Sequence, residues 1–133
     1  MMKHLPLLLT AALLSSVGLA NAATTADACA DLAAARTELV AMIGATDPAA
    51  LDDYKSKVHA ASDRLDADLE SMASGPDAAK AAEFKPVWEA FKETRESEII
   101  PAVYAGKNAD AKAIATGIQA ERMKKMKAAM GCN

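Results

Sequence analysis

The chain has 133 residues, with 15 Lys and Arg against 18 Asp and Glu, a formal net charge of −3. That balance argues against nucleic acid or an anionic membrane surface as a partner. Apolar residues make up 52% but aromatic residues only 4%, and the Ala-rich, Gly-poor remainder favours helix over sheet.

The first residues read as a secretory signal peptide. MMKH is a short basic start, and Leu5–Ala20 is an apolar run short of the ~20 residues that a membrane span needs. Ala20-Asn21-Ala22 is an A-x-A cleavage site, so the mature chain is expected to begin at Ala23. Loss of Lys3 takes the basic count from 15 to 14 against 18 acids, which makes the mature product more acidic. Residues 23–133 suit one domain, and no later segment is apolar enough to span a membrane. The expected product is soluble and either periplasmic or secreted.

Punctuation divides the mature chain into four helical runs. The first is expected over Asp27–Ala45. Thr46-Asp47-Pro48 follows, with Asp47 suited to cap a helix and Pro48 to its first position. The second run is Pro48–Ala73, closed by the turn Ser74-Gly75-Pro76-Asp77. The third is Asp77–Ala105, in which Pro86 and Pro101 each remove an amide donor and predict a kink. Gly106-Lys107-Asn108 combines a C-terminal stop with an N-cap, and the fourth run is Ala109–Met130, stopped by Gly131. Short loops between long helices imply antiparallel neighbours, so the fold is expected to be all-α, an up-down-up-down four-helix bundle. Cys29 and Cys132, at opposite ends of the mature chain, are expected to form a disulfide in an oxidising compartment.

Three arginines and one histidine stand on or beside the apolar stripes. Arg95 lies between Phe91 and Ile99, Arg122 between Ile118 and Met126, and Arg36 on the edge of the first stripe. Tyr54 and His59 lie on or beside the stripe of the second helix. Counted from the loops at ~1.5 Å per residue, Arg36, Arg95, His59 and Arg122 fall within about 8 Å along the bundle axis. Basic side chains at one level suit a small anion, since Arg matches a carboxylate or phosphate bidentately. Against this stands the ordinary role of a seam arginine: the stem covers apolar surface and the head pairs with Glu93, Glu96, Glu98 or Glu121.

Met123, Met126 and Met130 recur on one face of the fourth helix, and His59 is the only histidine of the mature chain. Met126 with His59 therefore defines an alternative, a copper or haem b site, against the ordinary role of Met as core filler. The acidic run Asp63, Asp66, Asp68 and Glu70 reads as a solvated helix face. There is no Glu-x-x-His pair, no HExxH and no Gly-rich phosphate loop, so the chain is not expected to be an enzyme.

The segments ARTELVAMIGATDPAALDDYKSKVHAASDRLDADL and FKPVWEAFKETRESEIIPAVYAGKNADAKAIA resemble the periplasmic four-helix-bundle sensor domain of methyl-accepting chemotaxis receptors. The features shared are an Arg-containing first helix, the W-x-x-F-x-x-x-R pattern of Trp88, Phe91 and Arg95, and a Gly-Lys turn into an Ala-rich fourth helix. The resemblance implies a ligand-receiving bundle, a homodimer, and ligand contact by Arg36 and Arg95. That family carries transmembrane helices on both sides of the bundle and a signalling domain, so a free periplasmic bundle is the form expected here. The chain is also similar to the soluble haem bundles of the cytochrome b562 and c′ type, but lacks their CxxCH and the haem-ligating His of the last helix. The expectation carried forward is an exported, sensor-like binding bundle for a small anionic ligand, with Arg95, Arg36, Arg122, Tyr54 and His59 as candidate ligand contacts. The two alternatives are the haem or copper bundle and a structural or protein-interaction bundle that pairs through an Ala-rich face.

Overall fold

The computed structural model describes residues 22–133. The expected signal peptide lies outside them, apart from Ala22. The first helix, α1 (Thr25–Ile43), starts two residues earlier than its apolar pattern suggests, because Thr24 and Asp27 form a capping box. The Asp27 amide donates to Thr24 Oγ1 at 3.2 Å, and the Thr24 amide donates to Asp27 Oδ2 at 2.9 Å. At its far end, the Asn108 side-chain amide donates to the carbonyls of Ile43 and Ala45 at 2.7 and 3.0 Å. These bonds take up carbonyls that a helix end leaves without a partner. Asn108 was expected to cap its own helix, and instead it closes the end of α1.

Asp47 behaves as its position implies: Oδ1 accepts from the Ala49 amide at 3.0 Å. Pro48–Ala50 forms one 3₁₀ turn and leads into α2 (Leu51–Met72). The next helix, α3 (Ala78–Thr94), runs through Pro86 without interruption. Pro86 and Ala82 are both exposed, so the Ala82 carbonyl that loses its donor faces water, and the helix absorbs the proline there.

Pro101 acts differently. The chain widens into a π turn over Arg95–Ile99 before α4 (Ile100–Tyr104), and the Ile100 amide reaches back five residues to the Arg95 carbonyl. The wide turn stands directly before the proline, whose ring crowds the carbonyl four residues behind it. It also keeps Arg95, Ile99 and Ile100 all buried on one face.

The expected fourth helix is two pieces, α5 (Asn108–Thr116) and α6 (Ile118–Met130). Gly117 separates them at φ −96° and ψ −110°, and a Cβ added there would lie 3.0 Å from the Ala113 carbonyl oxygen. Only a residue without a side chain fits that bend easily. Gly131 stops α6 in the left-handed conformation, with the Cys132 amide returning to the Lys127 carbonyl at 2.8 Å.

These pieces form four antiparallel rods, the up-down-up-down bundle expected. Phe84, Trp88 and Phe91 line α3 as a buried aromatic ladder, with Trp88 stacked on Phe91 at 5.6 Å between centroids. Leu32, Met42, Val58, Leu65, Met72, Ile99, Met126 and Met130 are further large side chains that are fully buried. Cys29 and Cys132 are joined as a disulfide, with Cα atoms 5.6 Å apart, and tie the start of α1 to the end of α6.

Candidate functional site

Arg95 sits at the start of the π turn and is only 3% exposed. Each of its guanidinium nitrogens has a partner. Nη1 donates to Ser62 Oγ of α2 at 2.5 Å, while Nε and Nη2 donate to Glu96 Oε1 at 3.1 and 2.9 Å. The Ser62 hydroxyl in turn donates a hydrogen bond to the Val58 carbonyl at 3.1 Å. The same Glu96 oxygen lies 2.7 Å from His59 Nε2. Burial pushes the Glu96 carboxyl up, but the hydrogen bonds and charges of Arg95 and His59 outweigh it and hold it below the usual carboxylate range. Arg95 and His59 thus come together, bridged by an internal carboxylate.

Arg122 approaches α3 from the other side. Its Nη1 donates to Thr94 Oγ1 at 2.6 Å and to Gln119 Oε1 at 3.0 Å. Gln119 is buried and donates its amide to the Phe91 carbonyl at 2.9 Å, next to the π turn. Two arginines therefore clamp the end of α3, Arg95 toward α2 and Arg122 from α6. Tyr54 is half-buried against the core, with Lys57 Nζ 5.8 Å from its ring centroid. Met126 is fully buried among the core side chains, as are Met130 and nearly Met123.

Arg36 is placed apart from this network. It is exposed and lines a cleft of about 470 Å³ between α1 and the broken fourth rod. Lys124 and Lys127 of α6 line the same cleft. Its apolar walls are Leu39, Val40 and Ile43 of α1, Phe91 of α3, Ala115 of α5, and Ala120 and Met123 of α6. None of its three cations has a carboxylate partner among the described residues. The level that α1 and α3 share is real in one sense: Phe91, one turn before Arg95, forms part of the cleft that Arg36 enters. Arg95 itself turns away toward α2.

A wider cleft of about 830 Å³ lies between α2 and α3. Three of its charges are paired with each other, Lys92 meeting Asp66 at 2.9 Å and Glu89 at 3.1 Å, while Glu70 and Lys85 line it with opposite signs. Asp66 also accepts from Trp88 Nε1 at 2.7 Å. This pairing corrects the solvated-face reading of the acidic run, because Asp66 helps hold α3. Asp68 departs further. Its Oδ2 is buried without a donor, and burial, followed by the hydrogen bond and charge of Asp31 and the charge of Asp27, raises its carboxyl to about 7.

Sequence reasoning missed Lys124 and Lys127. The available signal was their spacing of three on the helix face that also carries Met123 and Met130, which places them beside the seam.

No protein-family model, no curated protein and no solved structure matches this chain.

Proposed function

We propose that this is an exported four-helix-bundle binding protein, sensor-like in role, which holds a small organic anion in the cleft between α1 and the fourth rod. The observation that carries this is the set Arg36, Lys124 and Lys127 around one concave, otherwise apolar surface, unpaired among the described residues of a chain with net charge −3. Clefts of this size with an apolar lining and a few convergent polar groups are the common form of small-ligand sites. Arg36 supplies a planar fork for a carboxylate or phosphate, and the two lysines supply point charges.

This reading moves the leading role from Arg95 to Arg36. Arg95 is neutralised from within by Glu96, whereas an anion at Arg36 meets no competing carboxylate of the protein. The resemblance to chemoreceptor sensor domains supports the same residue, since Arg36 matches the arginine of their first helix. Export is supported by the terminal features of the sequence and by the Cys29–Cys132 disulfide. No helix among the described residues is long and apolar enough to cross a membrane.

The test is a thermal shift against a panel of carboxylates and phosphates. A ligand at a hundredfold excess over its Kd stabilises by about 2.7 kcal/mol, which is several degrees for a domain of this size. At least one anion is expected to stabilise the wild type and to do so much less for Arg36→Ala. Equal shifts in both proteins for every stabilising anion would remove the cleft from consideration.

A further inference from the structure

We infer that the anion is amphiphilic, a carboxylate carrying an extended apolar tail, an inference that rests on the anion site just described. The cleft is polarised along the bundle axis. Taking the Cys29–Cys132 bridge as a common level, Arg36 lies seven residues along α1, while Lys127 and Lys124 lie five and eight residues back along α6. At ~1.5 Å per residue the three cations fall within about 5 Å of one another along the axis. Leu39, Val40, Ile43 and Ala115 of the same cleft all lie farther from the bridge, over roughly another 10 Å.

That farther half offers an anion nothing. Its two polar side chains are spent within the bundle: Gln119 bonds the Phe91 carbonyl and Arg122, and the Thr116 hydroxyl donates to the Lys112 carbonyl at 2.8 Å. Phe91 is almost fully buried, yet forms part of the wall, and Val40 stands 55% exposed at the mouth. The break at Gly117 ends α5 beside this half, so α5 and α6 do not close over α1 as one straight rod. A hydrophilic anion fills only the cationic end. A tail laid along Leu39, Val40 and Ile43 removes the remaining apolar surface from water, which strengthens binding with each methylene buried.

The experiment is calorimetric titration with acetate, hexanoate, octanoate, decanoate and decanol. The proteins are wild type, Arg36→Ala and Val40→Ser, both changed positions being exposed. Affinity is expected to rise with chain length, up to about fourfold per methylene at full burial. Arg36→Ala is expected to weaken decanoate about tenfold, the scale of one charge-assisted hydrogen bond. Val40→Ser, which trims the apolar wall without adding a charge four residues from Arg36, is expected to weaken decanoate far more than acetate. If short anions bind as tightly as decanoate and still depend on Arg36, the amphiphile inference falls while the anion site stands. If decanol binds as tightly as decanoate, or if no binding depends on Arg36, both fall.

Discussion

Arg95 shows how a charged residue on an apolar stripe is consumed by its position. It lies four residues from Phe91 and four from Ile99, so the helix carries it inside. Once there, it must find partners, and it takes Ser62 and Glu96. Arg36 stands at the edge of its stripe, stays in water, and makes no ion pair among the described residues. The periodicity therefore made the arginines legible as seam residues, but the better placed one is the less available. Arg95→Ala is expected to cost about 2 kcal/mol, below the 3–5 of a fully buried pair because Glu96 is half-exposed and rehydrates. Urea melts of wild type and variant check this. Asp68 gives a second prediction. Its folded carboxyl, at about 7, binds a proton that the unfolded chain, at the ordinary 3.8, has released. The contribution is full below 3.8 and is lost as pH rises through about 7, so stability falls across that window. Asp68→Asn is expected to flatten this slope in urea melts taken across it. Glu96 acts with the opposite sign: its folded value lies below the ordinary 4.5, and its contribution is lost only as pH falls below that.

At the scale of elements, local chemistry read well where it acts locally. The Asp47-Pro48 start and the Gly131 stop both form as their residue types require. The expected kinks show where local rules end. Pro86 and Pro101 are both exposed, yet α3 passes through Pro86 unbroken while the chain opens into a π turn before Pro101. A proline alone does not reveal which of the two outcomes applies. Gly117 hid in a run of good helix formers, and only its tertiary setting makes the break. Gly117→Ala is expected to destabilise by about 1–2 kcal/mol if the bend persists, because the added methyl then crowds the Ala113 carbonyl oxygen at 3.0 Å. Unchanged stability with increased helical circular dichroism would show instead that α5 and α6 can join straight. Either result bears on the cleft, since the break lies beside its apolar half.

For the whole molecule, the bundle and the Cys29–Cys132 closure were legible because both follow from helix length, loop length and the two cysteines. A separation of 103 residues makes the cross-link worth up to about 4–5 kcal/mol in the chain-entropy model. The double variant Cys29→Ser, Cys132→Ser is expected to lose about 2–5 kcal/mol in denaturant melts. The site was only partly legible. Arg36 was found from its place on α1, but Lys124 and Lys127 become its neighbours only when α6 returns antiparallel beside α1. The most direct test of the anion cleft is chemical-shift mapping by NMR with the tightest anion from the thermal panel. Perturbations are expected at Leu39, Val40, Gln119, Met123 and Lys124, and they are expected to vanish in Arg36→Ala. Shifts centred instead on His59, Ser62 and Glu96 would contradict the account and return the ligand to Arg95.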